Sequence, residues 1–224
     1  MKLTAPIIAT AFAALAALSA TQASADILNP GFESDLTNWT ASPGANVSVV
    51  TSATDVNGSF GTTYLPTQGL DFAKLTAGAA NTYTTLSQTF TLAGNARVTG
   101  DVAFVGFDFS DADLGNNDNG YVKLIRAGGG TVTAFYSDIN TVGSLGETPW
   151  TSFSAIVGPG TYTLQFGVEN ANDNILSSLI LADNISVAAV PEPSTWALLL
   201  LGFAGVGFAS YRRTRKGAAS LVTA

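Results

Sequence analysis

Chemistry in this chain rests on oxygen. Its 224 residues carry 16 aspartates and glutamates but no histidine and no cysteine. Without histidine it lacks the commonest general base and any Ser-His-Asp triad. Without cysteine it lacks a thiol nucleophile and the thiolate ligands of zinc. Carboxylates remain, and they can pair for acid–base work, bind hard cations or accept hydrogen bonds from hydroxyl-rich ligands. Hydrolysis of a glycosidic bond needs two of them about 5–9 Å apart. Fifteen acidic residues between 26 and 189 make chance pairs easy, yet no motif marks one, and neither a nucleophile elbow nor a phosphate loop is present. The expectation is a protein that is not an enzyme.

One carboxylate stands out by position. Asp183 shares its alternation with Leu179, Leu181, Ile185 and Val187, so a regular strand would turn it toward the core. A buried carboxylate needs a cation or several hydrogen-bond donors. In a chain so poor in basic residues, a hard divalent cation such as calcium, with its oxygen ligands, is one such partner. A turn cap, or a wet position at the mouth of the fold, is the other reading. A second acidic stretch, Asp108 to Gly120, offers Asp111, Asp113, Asn116, Asn117, Asp118 and Asn119. Its spacing does not fit an EF-hand, and a solvated turn-rich loop is expected there. Aromatic rings near amide and carboxylate groups are the remaining binding resource. Tyr121, Tyr136 and Trp150, with Tyr64, are candidates for a glycan-stacking platform. Against that stands ordinary strand composition and packing.

Strands must position these residues, because no helical periodicity of useful length occurs between 26 and 189. Alternation marks strands over Asn46–Thr51, Leu70–Thr76, the Leu86, Phe90, Leu92 face, Arg97–Phe109, Tyr121–Arg126, Val132–Ser137, Phe153–Val157, Tyr162–Val168 and Leu179–Val187. The apolar face changes parity between Phe104 and Phe107, which predicts a bulge near Gly106. Gly128-Gly129-Gly130 reads as a hairpin turn. About eight or nine strands joined by Gly, Asn and Asp turns predict an all-β, antiparallel β-sandwich at 26–189. That segment holds four basic residues, Lys74, Arg97, Lys123 and Arg126, against fifteen acidic ones, a net −11. Such a surface repels nucleic acid and anionic headgroups.

The two ends differ in kind from the middle, and they help to explain how a chain 46% hydrophobic can be only 11% charged. Residues 1–25 read as a secretory signal peptide: Lys2, an apolar stretch from Ala5 to Leu18, and a small-residue cleavage site ending Ala23-Ser24-Ala25. At the other end, Val190-Pro191-Glu192-Pro193-Ser194-Thr195-Trp196 precedes an apolar run from Trp196 to Tyr211 and a basic cluster at 212–216 (Arg212, Arg213, Arg215, Lys216), with 217–224 as a tail. As a helix the run spans roughly 24 Å, against the roughly 30 Å of a hydrocarbon core, which predicts a marginal transmembrane helix with its basic end cytoplasmic.

Two resemblances follow. Residues 190–216 resemble the PEP-CTERM sorting signal, with Pro191, Glu192 and Pro193 matching the namesake motif and Trp196, Arg212 and Arg213 the flanks of the helix. The resemblance implies recognition by an exosortase, a transient inner-membrane intermediate, and delivery to the cell envelope or an exopolysaccharide (biofilm) matrix of a Gram-negative bacterium, in a structural or adhesive role. Asn29-Pro30-Gly31-Phe32-Glu33 with Trp39, and the late Asp183-Asn184-Ile185, are similar to the ends of carbohydrate-binding-module-like (galactose-binding-like) jelly rolls. That resemblance implies a jelly-roll topology and a structural calcium held by Glu33 and Asp183, with the Gly31 carbonyl as a third ligand. It also raises an alternative function, a module that binds extracellular polysaccharide.

Overall fold

The computed structural model describes residues 26–54, 62–110, 115–190 and 193–218, with side chains of the last stretch described from 197 to 212. The signal segment with Ala23 and Ala25, the motif residues Pro191 and Glu192, the side chains of Pro193, Trp196 and Arg213, and Asp111 and Asp113 lie outside the described residues. The chain divides into two compact units between Ala188 and Ala189.

Thirteen strands are described. They are β1 (Glu33–Leu36), β2 (Thr40–Ala41), β3 (Asn46–Val50), β4 (Ala53–Thr54), β5 (Thr63–Tyr64), β6 (Phe72–Thr76) and β7 (Thr84–Leu92), then β8 (Ala96–Val105), β9 (Asn119–Arg126), β10 (Thr131–Asp138), β11 (Thr151–Val157), β12 (Gly160–Glu169) and β13 (Leu179–Ala189). A short helix, α1 (Ile139–Val142), follows β10. Two five-stranded sheets form, in the orders β10-β9-β12-β7-β2 and β11-β8-β13-β6-β3, and β4 pairs with β5 alone. The recorded pairings are antiparallel, and the sheets make a jelly-roll sandwich.

Alternation explains the inner layer. Tyr162, Leu164, Phe166 and Val168 of β12 are all buried, in register with Phe90, Gln88, Leu86 and Thr84 of β7. With a side-chain period of two, each such strand puts one face into the space between the sheets. Burying each large apolar side chain there contributes about 1.5–3 kcal/mol. The glycine triplet turns the β9–β10 hairpin with φ of 86°, 115° and 95°, values that residues with a β carbon rarely adopt.

Several expectations change. The short strands β1, β2, β4 and β5 carry too little alternation to be read from sequence. β8 stops at Val105, short of the predicted Phe109. Its parity change comes from burial on both faces: Val98, Val102 and Phe104 enter the core between the sheets, whereas Ala103, Val105 and Phe107 join a second cluster with Phe72, Tyr64, Leu179 and Leu181. That second cluster coats the outer side of the second sheet, where the β4–β5 pair covers it. The register shift of a bulge lies instead in β10, between Thr133 and Phe135. β13 also changes parity. Ile180 and Ala182 face the inner core with Ile185, while Leu179 and Leu181 face outward, and Asn184 at the slip has φ 53°.

The second unit is the helix α2 (Pro193–Ala218), longer at both ends than the predicted 196–211 run. It opens on Pro193, a residue suited to a first helical position because its missing N–H is not needed there. Among the described residues no helix is long and apolar enough to cross a membrane. This corrects the expectation of a transmembrane helix: Gly202, Gly205, Gly207 and Ser210 dilute the apolar run, and the same helix continues into the arginines.

Candidate functional site

Two places gather chemistry. The first lies where the chain's opening residues meet β13. The Pro30 carbonyl accepts from Ile185 N–H at 3.1 Å, and Gln88 clasps the backbone of Leu28, taking its N–H at 2.7 Å and donating to its carbonyl at 2.9 Å. This brings Gly31 against β13, where a β carbon on Gly31 would lie 3.7 Å from Asp183 Oδ1 and would strike the Gln68 carboxamide oxygen.

Asp183 is fully buried, as expected, but under the 65–71 loop on the outward side of β13 rather than between the sheets. Its Oδ2 accepts from Thr67 N–H (2.7 Å), Thr67 Oγ1 (3.0 Å) and Gln68 N–H (2.9 Å), and Oδ1 from Asn184 N–H (2.7 Å). Every donor is neutral. Burial pushes the Asp183 carboxyl above the usual range, and the bonds from Gln68, Asn184 and Thr67 offset this only in part. Glu33, exposed on β1, uses Oε1 to accept from Leu70 N–H (2.8 Å) and Asp71 N–H (3.1 Å). Gly69, just before them, has φ 72°, and a β carbon there would strike the Glu33 carboxylate. One loop thus ties Gly31, Glu33 and Asp183 to a common neighbourhood. Among the described residues no three acidic side chains converge to hold a metal ion. A cation here would need carboxamide and backbone oxygens beside the two carboxylates, an all-oxygen set that suits calcium rather than zinc.

The second place is the outer face of the first sheet. Positions of β9 that alternate with core-facing Val122 and Leu124 carry Asn119, Tyr121 and Lys123. Register puts Tyr136 of β10 beside Tyr121, and Asp138 beside Asn119. On the other flank β12 contributes Gln165 opposite Lys123, Gly167 opposite Tyr121, and Glu169 opposite Asn119. Tyr83, just before β7, meets Tyr121 edge-on with ring centroids 5.0 Å apart. Tyr136 is 53% exposed, but Tyr121 is only 4% exposed. The Tyr121 ring lies on Gly167, where any β carbon would collide with it, and Lys123 Nζ sits 3.7 Å from its centroid on a cation–π contact.

Most acceptors on this face are already used. Tyr121 Oη donates to Gln165 Oε1 (2.8 Å), Tyr83 Oη to Asn119 Oδ1 (2.8 Å), and Asn119 Nδ2 to Glu169 Oε1 (2.8 Å). Burial raises the Tyr83 phenol far above its ordinary value, and Glu169 adds to the shift. Burial and then Asp138 raise that of Tyr136. Asp138 accepts from Thr141 N–H, Thr141 Oγ1, Asn117 Nδ2 and Tyr136 Oη. Burial alone would raise its carboxyl, yet these bonds hold it below the usual range.

Trp150 is not part of this face. Its Nε1 donates to the Leu65 carbonyl at 2.9 Å, and its ring meets Tyr64 and Phe72 edge-on at 6.0 and 5.5 Å, in the cluster on the second sheet. Tyr64 is buried beside it, with its hydroxyl on the Thr148 carbonyl. Sequence reasoning missed Tyr83, Lys123, Gln165 and Glu169, although the parity of β9 and β12 places the last three opposite the core. The acidic stretch also differs from the solvated loop expected of it. Asp108 and Asp118 are buried, and Asp118 accepts from Ala171 N–H and Ser178 Oγ, tying loops together at one end of the sandwich.

Comparison with solved structures finds similarities at low identity. The K3 cleaved adhesin domain of Lys-gingipain from Porphyromonas gingivalis w83 is 16% identical, with a TM-score of 0.46 over 74% of this chain and 99% of that one. The CBM22-1 xylan-binding domain of Paenibacillus barcinonensis Xyn10C is 16% identical, with a TM-score of 0.44 over 77% of this chain and 99% of that one. The bacteriophage CBA120 tailspike protein 4 enzymatically active domain is 13% identical, with a TM-score of 0.41 over 73% of this chain, which spans only 21% of the tailspike chain. No curated protein matches by sequence. The tail is specific: residues 189–214 match the PEP-CTERM protein-sorting motif, so this chain carries that sorting signal.

Proposed function

We propose that this is an exported adhesive protein, addressed to the envelope or extracellular matrix through exosortase processing of its tail, whose sandwich binds polysaccharide on the outer face of its first sheet. The observation that carries the binding half is the convergence of solvent-facing Tyr136 with Tyr83, Asn119, Gln165 and Glu169 on one side of adjacent, registered strands. Sugars offer apolar ring faces and hydroxyls in alternation, and a rigid surface of aromatic and amide groups complements both. The face spans three strand intervals from β10 to β7, about 14 Å at ~4.8 Å per strand.

Retention of the purified protein on the host's own polysaccharide tests this. Tyr136→Ala is expected to weaken retention at least tenfold with an unchanged thermal midpoint. Equal retention of the variant, or none by either protein, rejects the binding half. Intact-mass analysis from the host, with and without the exosortase, tests the address: loss of the tail only when the enzyme is present is expected, and an unchanged tail in both strains rejects it.

Structural calcium is part of the same proposal. Asp183, Glu33, the Gln68 carboxamide and the Gly31 carbonyl would hold it, supplying the buried carboxylate with the positive charge that its neutral donors lack. Its role would be to lock the opening residues onto β13.

A further inference from the structure

The tyrosine-bearing face is unbalanced between donors and acceptors. Gln165 Oε1, Asn119 Oδ1, Glu169 Oε1 and both oxygens of Asp138 already accept hydrogen bonds from within the protein. Lys123 is different. Its ammonium lies over the Tyr121 ring, with the Tyr83 ring 5.9 Å away, and among the described residues no hydrogen bond or ion pair engages it. A lysine has three N–H donors and no acceptor, and a ring face satisfies charge without satisfying those donors.

With four cations against fifteen acidic residues between 26 and 189, a lysine has carboxylates to pair with. Two of the other cations use neutral partners elsewhere: Arg97 donates to Ser154 Oγ, and Arg126 to the Pro159 carbonyl. Lys74 belongs to β6 of the second sheet. Lys123 therefore brings a positive charge to the middle of the face, between Thr133 and Gln165 in register, one row from exposed Tyr136.

Resting on the reading of this face as a polysaccharide site, we infer that Lys123 selects glycans bearing a carboxylate, such as uronic acids, by donating to that group while a neighbouring sugar ring lies against Tyr136. The ligand supplies the acceptors that the face has spent on itself. The net −11 of the domain opposes a polyanion at long range, but exposed charges beyond about 8 Å are screened at physiological salt, and contact with Lys123 is direct.

The experiment compares retention of the full-length chain on polygalacturonate, a carboxylated polymer, and on xylan, a largely neutral one. Variants are Lys123→Met, whose unbranched stem still covers Tyr121, and Lys123→Arg, which restores a stacked cation. The wild type is expected to prefer polygalacturonate by at least tenfold at physiological salt and to lose most of that preference at about 1 M salt, where the Debye length falls to about 3 Å. Lys123→Met should abolish the preference at an unchanged thermal midpoint, and Lys123→Arg should keep it. Binding to xylan with no preference for polygalacturonate, or a preference that Lys123→Met leaves intact, overturns the role of Lys123 and leaves the polysaccharide reading standing. Retention on neither polymer, nor on the host's own polysaccharide, overturns both.

Discussion

At the residue scale, packing separates tyrosines that composition treats alike. Tyr136 faces water, Tyr121 is roofed by Lys123, and Tyr64 is locked under Trp150. Trp150→Ala should therefore cost about 3–5 kcal/mol in urea unfolding, as deletion of a packed aromatic does, without altering retention on polysaccharide by the folded protein. Gly69 makes a sharper case. Its φ of 72° and its contact with Glu33 predict that Gly69→Ala destabilises by more than about 1 kcal/mol, and that Glu33→Ala recovers part of the loss in a double-mutant cycle. Asp183 gives the pH behaviour. Its folded-state pKa is raised, so the folded protein holds that proton more tightly than the unfolded chain, and the group's cost fades as pH falls through that value. Asp138 has the opposite sign: its pKa is lowered, so its stabilisation is present at neutral pH and is lost on acidification. In calcium-free buffer, Asp183→Asn should lose more stability than wild type between neutral pH and about pH 4, because the variant lacks the relief that protonation gives. An identical loss in both proteins rejects that sign.

At the scale of elements, the long alternating strands were legible, because a period of two over seven or more residues leaves little ambiguity. β12 and the β9–β10 hairpin show this. Where a strand is buried on both faces, as β8 is beyond Val102, the signal of alternation vanishes, and the expected bulge near Gly106 was that loss seen from the sequence. Asp183 shows the complementary limit. Its burial could be read, but its side could not, since the left-handed Asn184 exchanges the faces of β13 between Ala182 and Ile185. Half of the outer platform could be read in the same way: Tyr121 and Tyr136 lie on predicted strands, whereas their neighbours Gln165 and Glu169 depend on sheet order, which alternation does not encode. The shift in β10 sets which way Tyr136 points. Ala134 is the residue that the shift leaves unpaired, so deleting it should close the bulge, keep Tyr136 opposite Tyr121 and leave retention on polysaccharide unchanged, whereas inserting a second residue there should turn Tyr136 from its face and reduce retention as Tyr136→Ala does.

At the scale of the whole molecule, the opening segment and the final strand close the sandwich together, and calcium is expected to act on that closure. Adding calcium to chelated protein should raise the thermal midpoint by several degrees, and Asp183→Asn should remove the rise. No shift in the wild type rejects the calcium proposal. The position of β13 has a mechanical consequence. It is the middle strand of the second sheet, between β8 and β6, and it leads directly into the sorting tail. A tether made through that tail pulls on a strand that cannot be peeled from an edge; both neighbouring ladders must shear together. Meanwhile the Pro30–Ile185 bond ties the opening of the chain to the same strand. Load applied by a matrix to a glycan-bound copy would thus enter the sandwich at an interior strand bonded on both sides, and single-molecule extension from the tail should show one high-force rupture instead of stepwise unzipping.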